Sequence, residues 1–168
     1  FRFYCSSRNH CRYLEKLSEI KQFTPYLKAV CWGDENSEQM EMNLIAFAAK
    51  HPDHPGVKTI DAAIKSRYGQ GKYGIPRSEH ESDPAAWIAF RRWLNDEMVA
   101  FYREAYQLVK SVDPAIVVIS DDPIDGENTI YSFSDWPGTF DIATRQLYPS
   151  NSPVIDRFGF ATKYIADL

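Results

Sequence analysis

With 168 residues, 44% of them hydrophobic and 25% charged, the chain has the makeup of a globular protein that can bury one core. A formal net charge of −4 counts against a nucleic-acid ligand, which selects for a basic face. No apolar run reaches the ~18–20 residues of a membrane span, so no membrane partner is expected. Cys5, Cys11 and Cys31 are odd in number and lack C-x-x-C spacing, which speaks against a disulfide framework or a zinc site. There is no N-x-S/T sequon either, so a reducing, cytoplasmic setting is favoured over secretion. Because the chain opens at Phe1, targeting stays open.

Phe1 to Tyr4 reads as the tail of a strand. From His10 to Phe23, Leu14, Leu17, Ile20 and Phe23 fall on one helical face, and Thr24-Pro25 ends the pattern. Leu27–Trp32 is an apolar-rich strand. Gly33-Asp34-Glu35 follows as an acidic turn, and a helix is predicted over 37–50, with Met40, Leu44 and Phe47 at helical spacing. His51-Pro52 stops it, residues 51–58 read as loop, and a short helix is predicted from Thr59 to Tyr68, closed by Gly69. Residues 69–82 form a polar excursion.

Asp83-Pro84 is the clearest start signal in the chain, a capping residue with proline at the first helical position. Trp87, Phe90, Leu94, Met98, Phe101, Ala105, Leu108 and Val112 then mark one buried stripe of a long amphipathic helix. Asp113-Pro114 closes it. Residues 115–120, AIVVIS, are wholly apolar up to Ser120 and rich in β-branched residues, the pattern of a strand covered on both faces. A short helical piece is predicted around 131–136 and a third strand over 140–150. A last helix, capped by Ser152-Pro153, carries Val154, Phe158, Ala161, Ile165 and Leu168.

Strand–helix alternation of this kind predicts an α/β fold with a parallel sheet and helices outside it. In such folds ligands bind at the carboxyl ends of the strands. Asp34, Glu35 and Asn36 sit at the first such end, beside Trp32. Asp121 and Asp122 follow the second, and Gln146 and Tyr148 leave the third. These are the candidate site residues.

Four stretches together resemble the catalytic domain of TIM-barrel glycoside hydrolases, most nearly the β-galactosidase-like group: Trp32-Gly33-Asp34-Glu35, Lys65-Ser66-Arg67-Tyr68-Gly69, Val112-Asp113-Pro114 before AIVVIS, and Phe140-Asp141-Ile142 through Leu147-Tyr148-Pro149. The resemblance implies a partial (β/α)8 barrel of three to four β/α units. Residues 1–168 would then be a slice of one catalytic domain running from about strand 3 or 4 to strand 6. It puts Glu35 at the general acid/base position and implies retention of configuration. The nucleophile would lie beyond Leu168, which would leave the chain inactive, and poorly soluble or unstable, on its own. The group carries Asn before the acid, where this chain has Asp34.

The chemistry explains why a carboxyl group is wanted there. Cleaving a glycosidic bond needs a proton delivered to the leaving oxygen, from an acid whose pKa its surroundings raise. An apolar wall such as Trp32, or a negative neighbour such as Asp34, acts in that direction. A carbohydrate substrate is expected, with no cofactor and no metal. Plainer readings stay open beside this one. Glu35 also suits the positive end of a helix dipole, and Asn36 with Gln39 can form a capping pair. Asp121 and Asp122 before Pro123 can simply organise a turn. The same acids could hold a hard cation in a sugar isomerase or aldolase, and Asp in place of Asn would suit a glycan-binding pseudo-enzyme.

Overall fold

The computed structural model describes residues 26–32, 36–78, 82–120 and 135–142, with isolated positions 16, 19 and 22. Its elements are β1 (Ala29–Trp32), α1 (Asn36–Lys50), α2 (Pro55–Arg67), α3 (Pro84–Val112) and β2 (Val117–Ser120). Of the predicted helix over 10–23 only positions 16, 19 and 22 are described, and 19 and 22 are helical, whereas the predicted helix over 153–168 lies outside the described residues. No helix among the described residues is long and apolar enough to cross a membrane.

β1 and β2 pair in parallel, Ala29 opposite Val117 and Trp32 opposite Ser120. All three helices fall in the one connection between them. An isolated parallel bridge joins Ile119 to Ile142. The described chain is therefore mostly helical, with a two-stranded sheet. This corrects the expected fold class: a partial (β/α)8 barrel of three to four β/α units, with AIVVIS and 140–150 as its fifth and sixth strands, is not what forms. Three helices share a single crossover, and the predicted third strand contributes one bridging position before the described residues end. Apolar periodicity finds the three helices and the strands on either side of them but does not count how many strands one sheet holds.

The contacts gather into two compact units, one built on Ser37–Phe101 and the other on β1, β2, the end of α3 from Tyr102, and 135–142. In the first unit α2 starts four residues earlier than predicted. Pro52 ends α1, but Pro55 then starts α2, since its missing N–H and fixed φ suit the first helical position. Two prolines in HPDHP had read as loop, although the second is a start signal. On α1 the buried face is Glu41, Ile45 and Ala48, while Phe47 is 42% exposed. The stripe on α3 also differs from the predicted one. Phe90, Leu94, Met98 and Ala105 are buried as expected, but Trp93, Tyr102 and Val109 join them and Leu108 is exposed. A helix this long drifts against a strict three-and-four count, and burial follows the true 3.6 period.

The second unit's core is Val30, Ala105, Val109, Ile116 and Val118, with Leu27, Tyr106, Val112 and Phe140 against it. The end of α3 thus covers the face of the sheet that bears Val30 and Val118. On the other face Ala29 and Cys31 are exposed, and Val117 and Ile119 are half-buried. AIVVIS is therefore covered fully on one face, not on both as its composition predicts.

Candidate functional site

The sheet brings together the two strand ends that the acidic residues follow in the sequence. β1 closes at Trp32, β2 closes at Ser120, and these two residues are register partners in a parallel pair. α1 begins at Asn36, so three residues, Gly33, Asp34 and Glu35, connect strand to helix. Of the predicted site residues, Trp32 is the last residue of β1 and Asn36 the first of α1. Asp34, Glu35, Asp121, Asp122, Gln146 and Tyr148 lie outside the described residues. Among the described residues no three His, Cys, Asp or Glu side chains group so as to hold a metal ion. The four acids that the isomerase reading requires are not among them.

At the opposite, amino-terminal end of the strands there is a polar cluster that the sequence did not announce. Val117 donates its N–H to Lys28 on the β1 side at 2.9 Å, so Val118 faces the other edge of β2. The Val118 N–H donates to Asp141 Oδ2 at 2.8 Å, and the Val118 carbonyl accepts from the Asp141 N–H, also at 2.8 Å. Lys110 Nζ, on the last turn of α3, donates to Asp141 Oδ2 at 2.6 Å and to the Ile116 carbonyl at 2.7 Å. Tyr106 donates its hydroxyl to Asp141 Oδ1 at 2.9 Å. Burial pushes the Asp141 carboxyl up, but the hydrogen bonds from Lys110, the Val118 N–H and Tyr106, with the Lys110 charge, outweigh it and hold the group below the usual carboxylate range. The same bond to Asp141 raises the Tyr106 hydroxyl. Asp141 is thus an ionised fastener between β2, α3 and the chain entering Ile142. Phe140-Asp141-Ile142 was singled out only as part of a resemblance. An acid just ahead of a strand is the local signal, but its partners are 23 to 35 residues away.

Lys65-Ser66-Arg67-Tyr68-Gly69 also turns out to be structural. Tyr68 donates its hydroxyl to Asp96 on α3 and Arg67 pairs with Glu97 at 3.2 Å. The bond to Asp96, then burial, pushes the Tyr68 phenol up to about 12. A Cβ at Gly69 would lie 2.1 Å from the Tyr73 carbonyl oxygen, which is why glycine stands there. Glu41, 5% exposed, accepts from Arg91 Nε at 3.2 Å and Nη2 at 3.0 Å, and the Arg91 guanidinium lies 5.2 Å from the Trp87 ring centre. These groups fasten helices to one another.

No family model matches the chain, and no curated protein does. Among solved structures, a β-galactosidase from Rahnella sp. R3 is similar with a TM-score of 0.43 and 12% identity, over 89% of this chain and 32% of that one. The chain therefore spans about a third of that protein's length. Likeness at this level assigns neither fold nor activity.

Proposed function

We propose that this chain carries the general acid/base of a glycoside hydrolase, Glu35, at the carboxyl edge of the β1–β2 pair. The observation that carries the reading is the register: Trp32 and Ser120 end abreast, and the turns holding Asp34-Glu35 and Asp121-Asp122 follow them directly in the chain. In parallel sheets this is the edge where ligands bind. Glu35 gives its proton to the glycosidic oxygen as the bond to the sugar breaks, then takes one from the incoming water. Trp32 supplies an apolar wall and Asp34 a neighbouring charge, both of which favour the protonated acid before the reaction. Asn36, Asp121, Asp122, Gln146 and Tyr148 are assigned to hold sugar hydroxyls. The second carboxylate that the reaction requires is left unassigned.

The test is Glu35→Gln in the full-length protein, assayed on aryl glycosides with poor and with activated leaving groups. Turnover of the poor leaving group is expected to fall about 10²–10⁴-fold, and that of the activated one, which needs less protonation, by less. Unchanged turnover overturns the assignment. Turnover abolished by a chelator would favour the metal-dependent isomerase reading. Sugar binding without turnover by the wild type would favour a pseudo-enzyme.

A further inference from the structure

The corner between α1 and α2, His51-Pro52-Asp53-His54-Pro55, holds two of the chain's four histidines. His54 stands just before Pro55, the first residue of α2. Its backbone, φ −62° and ψ 132°, is the extended form of a helix N-cap. Its Nδ1 accepts the Gly56 N–H at 3.1 Å. Serine, threonine or asparagine in this place would accept with an oxygen at any ordinary pH. A ring nitrogen accepts only while it is unprotonated, so this cap needs the neutral imidazole with its hydrogen on Nε2. Protonation sets a donor against a donor and adds positive charge at the positive end of the α2 dipole. The first turn of α2 contains no acidic residue to offset that charge.

The groups facing His54 act in the same direction. From the end of α1, the Phe47 ring lies 5.3 Å from His54 and 4.8 Å from His51, so the two imidazoles flank one phenyl ring. From the turn, Asp53 pairs with Lys58 of α2 at 2.9 Å. The hydrogen bond from Lys58, then its charge, holds the Asp53 carboxyl below the usual range. Asp53 is therefore held ionised, and its charge is already engaged by Lys58. Lys50 closes α1. Two lysines and one aspartate give the corner a charge of +1 with both histidines neutral, and +3 with both protonated. Beneath the cap, Gly56 and Val57 are buried.

The geometry points to a pH-sensitive catch: the first turn of α2 is closed while His54 is neutral, and acidification releases it and exposes Val57. The catch is a property of the first unit and does not depend on what Glu35 does.

Hydrogen exchange of the full chain, followed by mass spectrometry from about pH 8 to about pH 5 and corrected for intrinsic exchange rates, reads it directly. Protection of the peptide over residues 55–60 is expected to fall about three- to tenfold toward acid, the scale of losing one N-cap. Protection of residues 61–68 should hold, because the Tyr68 N–H to Ile64 carbonyl bond at the far end of α2 involves no imidazole. His54→Asn, which caps at either pH, should keep the protection and lose its pH dependence. His54→Ala should show low protection throughout. A fall that persists in His54→Asn, an equal fall over 61–68, or no fall at all in the wild type each overturns the proposal.

Discussion

Asp61 in the first unit and Asp141 in the second perform the same task from opposite directions. Asp61 sits on a helix and reaches out to a loop, accepting the Ile75 N–H at 2.8 Å and pairing with Arg77. Asp141 sits in a loop and reaches in to a strand and a helix, gathering the Val118 N–H, Lys110 Nζ and the Tyr106 hydroxyl. Each carboxylate satisfies one backbone donor and one cation, and only Asp141 adds a phenol. The difference lies in what each backbone donor belongs to. The Ile75 N–H is in a loop that Asp61 shapes, whereas the Val118 N–H is on a sheet edge, where an unmet donor costs free energy or invites stray pairing.

The comparison can be broken most sharply at Asp141. Asp141→Ala leaves the Val118 N–H without its acceptor and Lys110 without its carboxylate, and is expected to cost about 2–4 kcal/mol in chemical denaturation. Asp61→Ala should cost less, about 1–3 kcal/mol, because the freed loop can turn its donors to water. Equal losses would mean that the sheet edge matters no more than the loop. Glu41→Ala is expected to fall in the same range, about 1–3 kcal/mol, since Arg91 is half in solvent. Glu41→Leu with Arg91→Met should recover most of that loss, as apolar replacement of a partly buried pair is often neutral. Gly74→Ala is the finer probe of the Asp61 side. Its Cβ would meet Asp61 Oδ1 at 2.4 Å, but a side chain can yield, so a loss of about 1 kcal/mol is expected.

The pH dependence of stability carries a contribution from the cluster at Asp141. The folded Asp141 carboxyl lies below its ordinary range, so the unfolded chain takes up its proton first as pH falls. The stability it contributes is complete above the ordinary aspartate range, near pH 4, and drains away as pH drops further. Asp141→Asn keeps an acceptor oxygen for Val118 but removes this acid limb, which urea midpoints measured from about pH 5 to about pH 2 would register.

The strand ends were legible because two apolar runs stop at acidic turns, and that much needs only local pattern. The long helix was legible too: Asp83 Oδ1 accepts the Ala85 N–H at 3.0 Å, as the Asp-Pro signal predicts. Apart from the start of α2, what failed was anything that depended on counting across distance. The number of strands, the face on which Phe47 and Leu108 sit, and the partners of Asp141 are set by contacts that no window of the sequence contains.

By itself, then, the sequence determined where the described helices and strands stop and where α1 and α3 start, because capping groups, prolines and apolar period act within a few residues of one another. Tertiary structure alone decided that Trp32 and Ser120 are register partners, that Glu41 is buried against Arg91 fifty residues on, and that Asp141 fastens the sheet edge. The last two outcomes rest on buried donors finding acceptors from distant parts of the chain, a condition on the folded whole that no local stretch can express.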